Sequence, residues 1–201
     1  GTEAVFAKGR GGSIGSYGVV SDDDTLGAIT WCADDGTDMN SVSARILANV
    51  DGTPGSNDTP GRLTFWTTAD GAAASTEQMR IDNAGKVTVS KILLANTSTA
   101  GSQTGSVTLD FSLNQNFVLT FTGNVTLANP TTESVGQSGI IVCIQDGTGS
   151  RTLSLGTDYE TAGGSGITLS TAANAVDIIP YFVKAAGSGR TSYYFIYRDC
   201  G

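Results

Sequence analysis

Turn chemistry breaks up the first ninety residues at short intervals: Gly11-Gly12, Asp35-Gly36-Thr37, Asp51-Gly52-Thr53-Pro54-Gly55, Thr59-Pro60-Gly61, Asp70-Gly71 and Asn83-Ala84-Gly85. Glycine supplies positive φ, proline presets φ, and Asp and Asn cap their own turns. No long helix can run through such punctuation, so the intervening segments must be short strands. Those expected are residues 26–33, 62–68, 79–81 and 86–90, while 45–50 reads equally as a strand or a helical turn. In the second of these, Leu63 and Phe65 share one face and Thr64 and Trp66 the other.

Large apolar residues are sparse in this half, and Ile29 and Trp31 lie opposite Leu26, Ala28 and Cys32, so one strand is apolar on both faces. A single copy would bury too little, whereas several copies pooling apolar faces around an axis would suffice. The small, polar residues 95–105 read as a linker or loose turn. Beyond it the pattern changes. Val107, Leu109 and Phe111 alternate with polar residues, as do Phe117, Leu119 and Phe121 with Val118 and Thr120. Hairpins are expected at Thr122-Gly123-Asn124, at Asp146-Gly147-Thr148-Gly149-Ser150, and at Gly187-Ser188-Gly189 between strands 176–183 and 191–197. Pro180 places the first of those last two strands at an edge or bulge. The expectation is an all-β chain: a short β-rich segment at 1–94, then an antiparallel β-sandwich of about eight strands at 95–201.

The formal charge of -8, with only 11 Lys and Arg scattered along the chain, argues against nucleic acid and anionic membranes as partners. No apolar run is long enough to span a membrane, and the N-terminus reads as lacking an export signal. Histidine is absent, and Cys32, Cys143 and Cys200 lie far apart, so neither a zinc site nor a Cys-His or Ser-His nucleophile is expected. Cys143, inside Ile140-Ile141-Val142-Cys143-Ile144, reads as a small buried hydrophobe. Cys200, one residue from the end, reads as an inert thiol, with an interchain disulfide in an oxidising medium as the alternative.

Most of the 19 acidic residues sit in turns beside Gly, Asn, Thr or Ser, where capping explains them better than glycoside hydrolysis. Asp110 and Asp177 lie in apolar surroundings and read as ion-pair partners of Arg151 or Arg190. The segment from Asp34 to Asn40 offers oxygen ligands but lacks the order of a calcium loop, and Gly163-Gly164-Ser165-Gly166 lacks the context of a phosphate loop. No enzyme activity, metal or cofactor is expected. The candidate ligand or interface aromatics are Tyr181, Tyr193, Tyr194 and Tyr197, with Tyr194 and Ile196 facing away from Tyr193, Phe195 and Tyr197.

Two stretches carry a family resemblance. The first runs from Gly61-Arg62-Leu63-Thr64-Phe65 and Thr67-Thr68 to Glu77-Gln78-Met79-Arg80-Ile81-Asp82 and Gly85-Lys86-Val87. It resembles a strand series common in phage tail-fibre proteins, where it belongs to an intertwined trimeric shaft. Leu119-Thr120-Phe121-Thr122-Gly123-Asn124-Val125, Gln145-Asp146-Gly147-Thr148-Gly149-Ser150-Arg151 and Ala173-Asn174-Ala175-Val176-Asp177 resemble a C-terminal module of phage structural proteins. The resemblance implies a homotrimeric virion fibre made in the host cytoplasm. It would be attached to other virion proteins through sequence preceding Gly1 and would bind a host-surface glycan or protein at its tip. A head fibre or decoration spike without a receptor is the alternative, and a glycan-degrading tailspike the next.

Overall fold

The computed structural model describes residues 1–186, and the chain folds as two compact units, Gly1–Leu93 and Leu94–Gly201. The only helix among the described residues is a single 3-10 turn at Ala162–Gly164.

The first unit is one antiparallel meander of β1 (Thr25–Ala33), β2 (Ser41–Val50), β3 (Gly61–Thr67), β4 (Thr76–Ile81) and β5 (Val87–Val89), in that order across the sheet. The ambiguous segment around Arg45 is the middle of β2, where pairing on both sides fixes an extended backbone. Turn carboxylates hold one end of the meander. Asp22 accepts the Gly52 amide at 2.7 Å, Asp51 accepts the Asn83 amide at 2.9 Å and an Arg62 N–H at 3.0 Å, and Arg62 also reaches Asp23 at 2.5 Å. Asp24 takes the Arg10 guanidinium on both oxygens, at 2.7 and 2.8 Å, which ties the N-terminal segment to β1.

These bonds favour the ionised carboxylates. The Asn83 amide, then Arg62, holds Asp51 below the usual range, and Arg10 lowers Asp24 in the same way. A depressed folded-state pKa gives stability that is present above the unfolded value, about 3.9 for Asp, and is lost as pH falls through the folded value. The thermal midpoint should therefore drop on acidification below about pH 4. Asp51→Asn should lower the midpoint at pH 7 and flatten that acid limb, which a scanning-calorimetry series from pH 7 to 2 would check.

The second unit departs from the expected antiparallel sandwich. Its sheet has the order β10-β8-β7-β6, with β9 also on β7. The strands are β6 (Thr97–Val107), β7 (Asn116–Leu127), β8 (Ser138–Gln145), β9 (Leu153–Leu155) and β10 (Val176–Phe182). β6, β8 and β9 all run parallel to β7, and only β10 is antiparallel, on β8. Parallel neighbours require the chain to cross back over the sheet. The crossovers at 108–115 and 128–137 do so without regular structure, and the first lays Leu109 and Phe111 onto the core face. The layer opposite the sheet is therefore built of connections, with no second sheet among the described residues of this unit.

Three expectations fail for identifiable reasons. Residues 97–107 form an eleven-residue strand rather than a linker, because the β7 edge fixes their backbone although they have almost no side-chain bulk. Gly123 is not a turn residue. Strand β7 continues through it, with a register shift against β6 between Gln103 and Gly105, and a Cβ there would overlap Thr104 Oγ1 on β6, so glycine permits close strand approach. Asp146–Ser150 does not reverse the chain either: β8 pairs with Phe117–Phe121 and β9 with Val125–Leu127, so the loop is an excursion between two strands lying along one edge of β7. Pro180 does lie on the terminal strand of the described sheet, and the strand proposed at 191–197 lies outside the described residues.

The core of this unit alternates cleanly. Phe117, Leu119, Phe121, Val125 and Leu127 of β7 point inward with Ile141 and Cys143 of β8 and with Ile179 and Tyr181 of β10. Cys143 is the buried hydrophobe expected, and burial pushes its thiol up to about 12.

Candidate functional site

Tyr181, the one proposed ligand aromatic within the described residues, is 3% exposed. Its ring meets Phe111 edge-on at 5.2 Å, and its hydroxyl donates to the Gln115 carbonyl at 2.6 Å. Burial raises that phenol to about 12. It is a core residue that pins the first crossover to the sheet. Tyr193, Tyr194 and Tyr197 lie outside the described residues, as do Arg190 and Cys200.

The carboxylates act on backbone. Asp34 accepts the Gly36 amide, Asp35 those of Thr37 and Asp38 with the Ser41 hydroxyl, and Asp38 that of Asn40, so this segment is a self-capped turn. Asp110 and Asp177 are not paired with Arg151. Asp110 accepts from Ser112 and Thr132, and Asp177 from Ser170 at 3.0 and 2.9 Å, while Arg151 pairs with Asp146 at 2.8 Å. Each acid accepts from donors close to it in the fold, and Arg151 is taken by its loop neighbour Asp146, while a pairing with Arg190 lies outside the described residues. No cluster of metal-ligating side chains occurs among the described residues.

Among the described residues of the second unit, two surfaces are open. One is a cleft of about 670 Å³ lined by Leu153, Leu155, Tyr159, Glu160, Thr161 and Ile167, with the 3-10 turn at its rim. The size suits a small-molecule or sugar ligand. Its glycine-rich wall is Gly164-Ser165-Gly166, part of the loop read from the sequence only as not a phosphate loop; the closed turn from Thr161 to Gly166, bonded through Thr161 Oγ1 at 2.9 Å, shapes it. The other is the outer sheet face, where Ile140, Val176, Ile178 and Phe182 are exposed.

Residues 102–188 match the family described as "Putative phage tail fibre C-terminal domain". The chain resembles a phage tail-fibre protein. That tail-fibre match lies within the second unit and takes in the cleft, β7, β8, β9 and the later part of β6. Two solved structures are also similar to the chain. One is the carboxy-terminal domain of the bacteriophage T5 L-shaped tail fibre, at 18% identity over 45% of this chain and 33% of that one, with a TM-score of 0.37. The other is the same T5 domain with its intra-molecular chaperone domain, at 17% identity over 45% of this chain and 23% of that one, with a TM-score of 0.38. The matched part thus spans a third or less of those tail-fibre chains. No curated protein matches the chain. Among the described residues no helix is long and apolar enough to cross a membrane.

Proposed function

We propose that the chain is a non-enzymatic part of a bacteriophage virion fibre, assembled as a homotrimer. In this reading the first unit is a shaft segment and the second a tip that adheres to a host-surface glycan or protein. The observation that carries the reading is the tail-fibre family match over residues 102–188. The cleft bounded by Leu153, Tyr159 and Ile167 is the described feature best sized for a sugar. Three linked copies would add avidity to individually weak contacts.

A structural fibre without a receptor is the second reading. It is favoured by the burial of Tyr181 in the core and by the use of the turn carboxylates as caps. An array of bacterial surface polysaccharides, probed with the intact oligomer, separates the two. Adhesion predicts saturable retention on at least one polysaccharide without release of new reducing ends. Uniform absence of retention would leave the structural reading, and progressive release of reducing ends would overturn the non-enzymatic one.

A further inference from the structure

The first unit has almost no interior of its own. Among the described residues, Val20 and Val50 are its only buried apolar side chains, yet the unit makes a regular five-stranded sheet. The register shows where the missing interior lies. Ile29 of β1 is opposite Ile46 of β2, then Phe65 of β3, Met79 of β4 and Val89 of β5. Alongside that row run Ala48, Leu63, Ile81 and Val87, and on its other side Trp31 and Ala44. All these side chains project from the same face, and none is polar or charged. The opposite face carries Arg45 over the Trp66 ring, the Arg80–Glu77 pair, and Thr64 bonded to Trp66.

The N-terminal segment covers one part of the apolar face. Phe6 sits against Gly27, where a Cβ would come within 2.8 Å of its ring stem, and with Ile46, Ala48 and Leu63 it forms one side of an apolar groove. The rest stays open, with Ile29 at 49%, Trp31 at 51% and Val87 at 55% exposure. At ~200 Å² for a large side chain, these three half-exposed members alone amount to roughly 300 Å² of apolar surface. That already reaches the ~300–600 Å² of the largest apolar patch on a typical monomer, a patch that is often functional, and Leu63 and Val89, each 37% exposed, extend it.

We infer that this face is where a second copy of the chain docks, apolar face to apolar face. The inference rests on the homomeric fibre reading and deepens it by naming the surface. A unit with two buried apolar side chains needs its partner whenever it is folded, and a copy of itself is always present at equal concentration. A face bearing charge of one sign would repel its own copy. This one bears none, although the chain as a whole carries -8.

The test uses the full chain. Light scattering of the wild type should give an oligomer, Ile29→Glu should reduce its mass, and Thr30→Glu, one residue along on the opposite face, should not. Because a variant that cannot dock could also unfold, a second measurement leaves the face intact. In a Cys32→Ser background, Val87→Cys and Thr88→Cys place thiols at two exposed positions of β5 that face opposite ways. Maleimide labelling followed by peptide mass spectrometry should find position 87 at least tenfold slower than 88 in protein of wild-type mass. Equal rates, or an Ile29→Glu oligomer of wild-type mass, would overturn the docking face and leave the oligomeric fibre standing. A monomeric wild type would overturn both.

Discussion

Replacing Phe111 by alanine is expected to destabilise the second unit by about 4 kcal/mol, within the range for a buried phenylalanine, and so to remove much of a typical domain's stability. Phe111 sits on an irregular crossover, where neither helix nor sheet holds the backbone. Its ring lies 5.0 Å from Phe117 on β7 and 5.2 Å from Tyr181 on β10, edge-on to both, so it joins the sheet to the layer above it. The Phe111 amide donates to Thr132 Oγ1, and its carbonyl accepts from Gln137, which binds one crossover to the other. Loss of the ring would leave a cavity that these hydrogen bonds prevent the backbone from closing. Denaturant unfolding followed by near-ultraviolet dichroism checks the size of the loss. Leu113→Ala, two residues away and exposed, should change stability by no more than about 0.5 kcal/mol. A Phe111→Ala loss as small as that of Leu113→Ala would mean that the crossover is not part of the cooperative core.

The same residue shows what a sequence can and cannot disclose. Phe111 reads as apolar and therefore inward, and it is. Its alternation with Leu109 suggests a strand, however, and only the return of the chain across a parallel sheet explains why it lies in a connection. Local pattern located most of the strands in the first unit, because there each strand pairs with its sequence neighbour and Gly, Asp and Asn mark every reversal. In the second unit the pairing is non-local. β6 is almost all Ser, Thr, Gly and Ala, and its extended form comes from the β7 edge rather than from propensity. Gly123 and the Asp146–Ser150 segment have the composition of turns, but glycine also permits close approach and aspartate also caps an excursion, and sequence alone does not distinguish these uses.

The candidate site was legible to a similar degree. Acids as turn caps followed directly from their glycine, serine and asparagine neighbours. Tyr181 could not be separated from a ligand aromatic, since an inward and an outward tyrosine differ only in strand register. The cleft went unread because its wall is a glycine-rich loop with no diagnostic chemistry. Its shape depends on where Leu153 and Ile167 lie in three dimensions.

Gln145→Leu is expected to destabilise the second unit by about 2–4 kcal/mol, although it exchanges a polar side chain for an apolar one of similar size at a buried position. Gln145 closes the excursion between β8 and β9. Its Oε1 accepts the Arg151 amide at 2.8 Å and its Nε2 donates to the Arg151 carbonyl at 2.9 Å, so one side chain replaces the two ladder bonds a neighbouring strand would make. Asp146 caps the same loop through the Thr148 and Gly149 amides, and Asn124 on β7 accepts from Thr152. Leucine would fill the space but leave both Arg151 backbone groups unpaired, and unpaired buried groups cost more than the made bonds contribute. The Arg151 amide should then exchange hydrogen markedly faster than in the wild type, a change that a general packing defect would not confine to that residue. Gln145→Glu gives a second check. A buried carboxylate facing the Arg151 carbonyl is disfavoured in its charged form, so its folded pKa should lie above the unfolded value. The variant should therefore be most stable below the unfolded pKa and lose stability as pH rises through the folded one, opposite in sign to the acid limb set by Asp51. If Gln145→Leu matched the wild type in both stability and Arg151 exchange, the loop would be held by Asp146 and Asn124 alone.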